Sequence, residues 1–388
     1  MKFAPSYLQS AVNIINQYDG SEPLQHHLKK YFAEHKKHGS KDRKYITSLS
    51  YTFYRLGEAL NNLSIEERIK AAIFLCNSNA TPWQALYNEE WLSVWSEVLT
   101  ERISFVRTKY SFTATSIFPF IEELSVGIQP ETFALSHLTQ PDLFLRARPG
   151  KNKAVQQKLE QHNIPFTVIG EHTLALTNAS KIDTILAIDK EVVVQDYSSQ
   201  RVGALMSLVE KKQPTVWDCC AASGGKSILA TDVLIKIKLT VSDIRQSIIH
   251  NLKQRFGRAG INLYNAFVAD IGQPVTSIDQ QFDLIICDAP CSGSGTWGRT
   301  PEQLQFFTKD KINYYASLQK KIAANTIPHL AKDGYFLYIT CSVYKKENEE
   351  AVAFILKQFP ELQLVKQELL LGYEQKADSM FAAMFKKI

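Results

Sequence analysis

Hydrophobic residues change their spacing twice along this chain. Up to about residue 130 they recur at helical intervals, as at Leu8, Val12 and Ile15 and again at Leu28 and Phe32, which predicts an all-helical region over residues 1–130. Within it, SIEERIKAAIFL starts at Ser64 and carries Glu67 three residues on, the spacing of a capping box. From 131 to 200 the pattern is that of a small α/β unit. DLFLRARP reads as a strand closed by Pro149, KAVQQKLEQHNI as a helix, and PFTVI and TLALT as short strands. From 201 to 388 strands and helices alternate. PTVWDCC, KLTVSDI, NAFVAD, FDLIICDAP and GYFLYITCS are the expected strands, with helices after the first two, over about 310–331 and over KENEEAVAFILKQF. FDLIICDAP has the continuous apolar run of a strand covered on both faces. The alternation predicts an α/β fold built on a parallel, doubly wound sheet.

Composition narrows the function. The 388 residues are 45% hydrophobic and 21% charged, an ordinary globular balance. No run approaches the roughly 18 apolar residues that span a bilayer. The opening MKFAPSYLQS lacks the basic-then-apolar form of a signal peptide. A cytoplasmic protein without a membrane partner is expected, with a monomer favoured over an oligomer. The net charge is +5, and residues 21–55 alone account for it: Lys29, Lys30, Lys36, Lys37, Lys41, Arg43, Lys44 and Arg55 face only Glu22, Glu34 and Asp42. With Tyr31, Phe32 and Tyr45 interleaved, this segment reads equally as a solvated helix face and as a footprint for a phosphate backbone. Arg146, Arg148, Lys151 and Lys153 form a second basic cluster at a strand-to-helix turn, open to the same two readings. Of the six cysteines, Cys76, Cys219, Cys220 and Cys287 read as small buried hydrophobes. With no CxxC pair, and with Cys219 and Cys220 adjacent and so on opposite faces of a strand, no metal site is expected.

Ligands of an open α/β sheet bind outside the carboxyl ends of its strands, and the chemistry-bearing residues fall there. Asp218 ends the first strand, followed by the turn Ala221-Ala222-Ser223-Gly224-Gly225-Lys226. Asp243 closes the second strand, where a carboxylate can accept hydrogen bonds from both ribose hydroxyls; Asp270 closes the third and can meet an adenine edge. The turn lacks the first glycine of a P-loop, and GxGxxG is absent. What remains is a cofactor with ribose and adenine but no pyrophosphate. S-adenosylmethionine fits, with Asp218 toward its methionine part.

The fourth strand runs into DAPCSGSG and the fifth into TCS, so Cys291 and Cys341 stand at neighbouring strand ends. Cys291 sits after Pro290, where amino-group methyltransferases place an aromatic residue to stack the base. A thiol suggests covalent catalysis instead. Carbon 5 of a pyrimidine is a poor nucleophile until a thiolate adds to carbon 6; the chemistry then needs a hydrogen-bond partner near ring nitrogen 3 and a base. Asp288 is placed for the ring nitrogen edge, and Lys226 to steady it and lower a neighbouring thiol pKa.

Together these segments resemble the Sun-type RNA (cytosine-5) methyltransferases, in their bacterial RsmB-type branch. QDYSSQ at 195–200, DCCAASGGKS at 218–227, SDIR at 242–245, AD at 269–270, DAPCSGSG at 288–295, GRTP at 298–301, YITCSVYKKENEEAV at 338–352 and DSMFAAMFKK at 378–387 follow in that family's order. The resemblance implies a class I Rossmann-like S-adenosylmethionine methyltransferase domain acting on RNA, most simply 16S rRNA. It makes Cys341 the nucleophile and Cys291 the group that assists release, with Asp288 and Lys226 at the target base. It places Gly224, Gly225, Asp243, Arg245 and Asp270 at the cofactor. It also implies that the helical region, through KDRKYITSLSYTFYRLG at 41–57, is a NusB-like RNA-binding domain. Two positions depart from the family pattern: Ser223 stands where Pro is usual, and Arg148 where Asn is usual. The first predicts a looser cofactor loop, the second an altered grip on RNA. A non-catalytic ribosome-assembly factor and a DNA cytosine-5 methyltransferase using Cys291 are the rival readings.

Overall fold

The computed structural model describes residues 3–276 and 278–388; positions 1, 2 and 277, and with them the first two residues of the expected helical region, lie outside the described residues. The chain divides into two compact units, one of residues 1–124, 128–140 and 296–308, the other of residues 125–127, 141–295 and 309–388. The stretch 131–200, expected as a domain of its own, thus has residues 141–200 inside the second unit.

The first unit contains α1 (Ala4–Gln17), α2 (Leu24–Glu34), α3 (Ser40–Tyr54), α4 (Ile65–Cys76), α5 (Glu89–Ser93), α6 (Leu99–Tyr110) and α7 (Pro130–Ser136). The capping box forms as expected: Glu67 N donates to Ser64 Oγ at 3.3 Å and Ser64 N to Glu67 Oε2 at 3.1 Å. Leu8, Ile15, Leu28, Tyr31 and Phe32 all face one core, which settles the aromatics of the basic segment as packing residues. Arg55 is buried too, its guanidinium holding the His137 and Gly298 carbonyls at 2.8 and 3.0 Å. The lysines at 29, 30, 36, 37, 41 and 44 are exposed.

The second unit holds two sheets. The smaller is antiparallel, in the order β2-β3-β1-β4, with β1 (Leu143–Ala147), β2 (Thr167–Gly170), β3 (Thr173–Leu176) and β4 (Val192–Val194); α8 (Asn152–Gln161) follows β1. The short helices α9 (Tyr197–Arg201) and α10 (Gly203–Met206) lead to the larger sheet. Its strands are β5 (Thr215–Asp218), β6 (Lys238–Asp243), β7 (Tyr264–Val268), β8 (Phe282–Asp288), β9 (Leu330–Thr340), β10 (Leu362–Leu370) and β11 (Met380–Lys387), in the order β10-β11-β9-β8-β5-β6-β7. The connecting helices are α11 (Gly225–Leu234), α12 (Gln246–Ala259), α14 (Lys309–Thr326) and α15 (Glu349–Gln358); α13 (Gln303–Phe306) belongs to the first unit.

The run FDLIICD is buried on both faces because its side chains alternate. Leu284 and Ile286 join Ile228, Leu252 and Phe256 of α11 and α12, while Ile285 and Cys287 join Ile322 and Ile355 of α14 and α15. The sheet is mixed where an all-parallel one was expected. β9 to β11 and β11 to β10 pair antiparallel, since β10 and β11 form a hairpin at the edge. The helix expected to reach residue 331 ends at Thr326; Pro328 follows in a tight turn, and Leu330 already pairs in the sheet.

Candidate active site

β5 sits where the strand order reverses, with β6 on one side and β8 on the other, so the loops after these strands border a crevice. Gly224 ends the first loop with φ +82°, and a Cβ there would lie 2.6 Å from the Phe256 ring; only glycine fits. Ala221 N donates to Ser242 O at 2.9 Å and Ala222 N to Asp243 Oδ2 at 3.2 Å, which seats the turn against the end of β6. The other Asp243 oxygen accepts from Arg245 N at 3.0 Å. A cavity of about 490 Å3 opens here, walled by Asp243, Arg245, Asp270, Cys220, Pro290 and Tyr315 among others. Its acids at two strand ends, its apolar floor and its lack of a phosphate cradle fit a nucleoside carrying a short chain.

Asp218 is elsewhere. It is fully buried, accepts from Ser227 Oγ at 2.6 Å, and leaves its Oδ1 without a partner among the described residues. Burial pushes its carboxyl up to about 7, against the opposing Ser227 hydrogen bond. Ser223, expected to loosen the loop, is held: Arg255 Nη1 donates to its Oγ at 3.0 Å and to its carbonyl at 3.2 Å.

The two strand-end thiols converge. Cys291 Sγ lies 3.1 Å from Cys341 Sγ. Two devices bring their loops together. Gly295 N donates to Cys341 O at 2.9 Å, and a Cβ on Gly295 would strike the Ser379 carbonyl at 1.9 Å, so no larger residue permits this approach. Behind the sulfurs, the buried Glu347 takes Ser292 N on Oε2 at 2.9 Å and Ser342 Oγ on Oε1 at 2.6 Å. One carboxylate thus ties the residue after Cys291 to the residue after Cys341. Gln319 Nε2 donates to the same Oε2 at 2.9 Å and to Pro290 O at 3.0 Å. The hydrogen bond to Cys341, and then burial, push the Cys291 thiol well above its ordinary range. Lys226 Nζ donates to Asp288 Oδ2 at 3.0 Å and to Ser199 Oγ at 2.8 Å.

The expected residues therefore form three groups. Asp243, Arg245 and Asp270 line the cavity; Cys291 and Cys341, and separately Lys226 and Asp288, pair at the tips of the neighbouring strands. Glu347, Gln319 and Ser199 are site residues that sequence reasoning passed over. Glu347 read as one more charge at a helix start, and only its burial reveals it. Three expectations need correction. Cys219 and Cys220 follow β5 as a turn and both border the cavity, so they do not point to opposite faces of a strand. Cys220 and Cys76 are only half-buried, whereas Cys219 and Cys287 are fully buried. The basic turn at 146–153 is split: Lys151 and Lys153 are exposed, but Arg146 and Arg148 point inward and share Asp232 at 2.5 and 2.8 Å.

Strand order, switch-point crevice and strand-end acids define this unit as a class I, Rossmann-like methyltransferase fold. Residues 204–385 match the family model described as 16S rRNA methyltransferase RsmB/F. A ribosomal RNA small subunit methyltransferase B from Yersinia pseudotuberculosis is 33% identical over 177 residues, which is 45% of this chain and 40% of that protein. A probable ribosomal RNA small subunit methyltransferase B from Bacillus subtilis is 29% identical over 233 residues, 58% of this chain and 52% of the other. The match thus spans about half the length of these relatives. The crystal structure of PH0851 shares the fold over 99% of each chain, with TM-score 0.72 at 21% identity.

Proposed function

We propose that this chain is a cytoplasmic RNA (cytosine-5) methyltransferase that acts on 16S rRNA. The observation that carries the reading is the pair of sulfurs 3.1 Å apart beside a nucleoside-sized cavity. Asp243 would hold the ribose of S-adenosylmethionine and Asp270 its adenine edge, with Arg245 at the rim. The cofactor supplies the methyl group.

This chain's residues do the rest. Cys341, the nucleophile by the family resemblance, attacks as a thiolate, with the Cys291 sulfur 3.1 Å away and its thiol pushed up by that contact. Its electron pair forms a bond to carbon 6 of cytosine, and the carbon 5–carbon 6 double-bond electrons move to carbon 5, which becomes nucleophilic. Asp288, fixed by Lys226, meets the ring nitrogen edge. With Cys341 bonded to carbon 6 and no longer holding its hydrogen bond, Cys291 gives up its proton to solvent; once carbon 5 is methylated, the Cys291 thiolate takes the carbon 5 proton, the double bond re-forms and Cys341 leaves as a thiolate. A cytosine in a stack cannot reach both thiols, so the target is an unpaired or flipped base.

Transfer of tritium from labelled S-adenosylmethionine tests this. Label is expected in 16S rRNA transcripts, at cytosine carbon 5, and not in DNA of the same sequence. Label in DNA, or RNA binding without any label, contradicts the reading.

A further inference from the structure

A second cavity, of about 630 Å3, lies within the same unit, between the end of β1, α9, α10 and the outer half of α11. Leu229 and Val233 in its wall are three and seven residues beyond Lys226, so it runs along α11 to about 10 Å from the Lys226 backbone. Nothing in the mechanism above uses it.

Its chemistry is specific. Arg146 lines it and is buried, with a side chain only 6% exposed. Arg146 Nε donates to Gln195 Oε1 at 2.8 Å and Nη1 to Asp232 Oδ2 at 2.5 Å, but Nη2 has no partner among the described residues. A buried N–H without an acceptor is destabilising, and a ligand acceptor would recover that cost. The two arginines of the wall are already matched, Arg146 by Asp232 and Arg201 by Glu368 at 2.8 Å, and Glu171 adds a negative charge. No net positive charge remains to draw a phosphate. Ala147, Pro149, Leu229 and Val233 give the wall apolar patches beside the polar Thr173, Gln200 and Ser207. A flat, neutral heterocycle with a carbonyl oxygen suits such a site.

The cavity is also wired to the reaction centre. Gln195, which holds Arg146, donates from Nε2 to Ser199 Oγ at 3.1 Å; the same Oγ takes Lys226 Nζ at 2.8 Å, and Lys226 reaches Asp288. An unbroken run of hydrogen bonds joins the orphaned guanidinium to the group that meets the target base.

We propose that this cavity takes a second, unstacked nucleobase of the same RNA strand, its carbonyl oxygen on Arg146 Nη2. The inference rests on RNA being the substrate. Arg146 is then a specificity residue, and adenine, which has no carbonyl, is the base it disfavours.

Ala204 is exposed at the mouth of the cavity, so Ala204→Trp fills the space without disturbing the buried residues. RNA binding by fluorescence anisotropy is expected to weaken about tenfold in this variant. The affinity for S-adenosylmethionine by calorimetry and the melting temperature should stay unchanged. A short oligoribonucleotide containing 4-thiouridine, irradiated on the full chain, should crosslink to peptides holding Pro149 or Tyr197, and Ala204→Trp should remove that crosslink. Wild-type RNA affinity and KM in the variant, or crosslinks confined to other peptides, overturn the proposal. Should the variant melt early, Ser207→Trp at the same mouth makes the same test. RNA binding that depends on Ala204 without methyl transfer supports the cavity while defeating the enzymatic reading; methyl transfer that ignores the plug does the reverse. If the chain binds no RNA, both fall.

Discussion

Glu347 does for the two thiols what neither does for itself. Free loops carrying Cys291 and Cys341 would sample many separations, and a carboxylate bonded to Ser292 N and Ser342 Oγ removes that freedom. Glu347→Gln keeps the volume but presents an amide where a donor must be accepted. Single-turnover methyl transfer should fall on the order of 10²-fold, with cofactor affinity unchanged, because misplacement of about 1 Å costs that much. Asp218 makes a pH prediction. Its folded pKa of about 7 exceeds the ordinary carboxylate value of about 3.9. Between those values the native chain holds a proton that the unfolded chain has lost. This residue therefore makes stability fall as pH rises through that window, and above about 7 the whole penalty is present. Asp218→Asn, which can still accept from Ser227, should raise the melting temperature by a few degrees at pH 8 and not at pH 4, read by differential scanning calorimetry.

Between elements, the two departures from the family pattern meet in one network. Arg148 donates to Asp232 at 2.8 Å and to the Asp189 carbonyl at 2.6 Å; Asp189 takes Arg255 Nε at 2.7 Å, and Arg255 grips Ser223. The stiffness a proline would give the cofactor loop is here supplied by α12. Arg255→Ala should weaken S-adenosylmethionine binding about fivefold, the worth of roughly 1 kcal/mol, and adding Ser223→Pro should restore most of it. Calorimetry on the single and double variants checks this; equal losses with and without the proline would contradict it. The same network marks where the sequence was legible. Apolar runs ending in Asp, Gly or Cys announced the tips of β5, β6, β8 and β9, because covered parallel strands leave that signature. The inward turn of Arg148 was hidden, since its partner Asp232 lies 84 residues on. The edge hairpin was hidden too: Lys366 and Glu368 break the apolar run of β10, which lies at the sheet edge.

At the scale of the molecule, charge and chemistry sit in different units. The exposed lysines at 29, 30, 36, 37, 41 and 44 belong to the helical unit, the thiols to the other. If all six lysines neutralise RNA phosphates, log Kd should change with log salt at a slope near 4, and reversing Lys36 and Lys37 to Glu should reduce it by about 1 or more. Anisotropy titrations in increasing KCl read this directly; an unaltered slope would assign the lysines to solvation alone. The central claim concerns two sulfurs with unequal duties. The most direct measurement incubates Cys291→Ala and Cys341→Ala with 16S rRNA and S-adenosylmethionine and runs each on a denaturing gel. The account predicts a protein–RNA adduct that survives denaturation for Cys291→Ala, and neither adduct nor methylation for Cys341→Ala. An adduct in Cys341→Ala, or methylation at the wild-type rate in either variant, would contradict it.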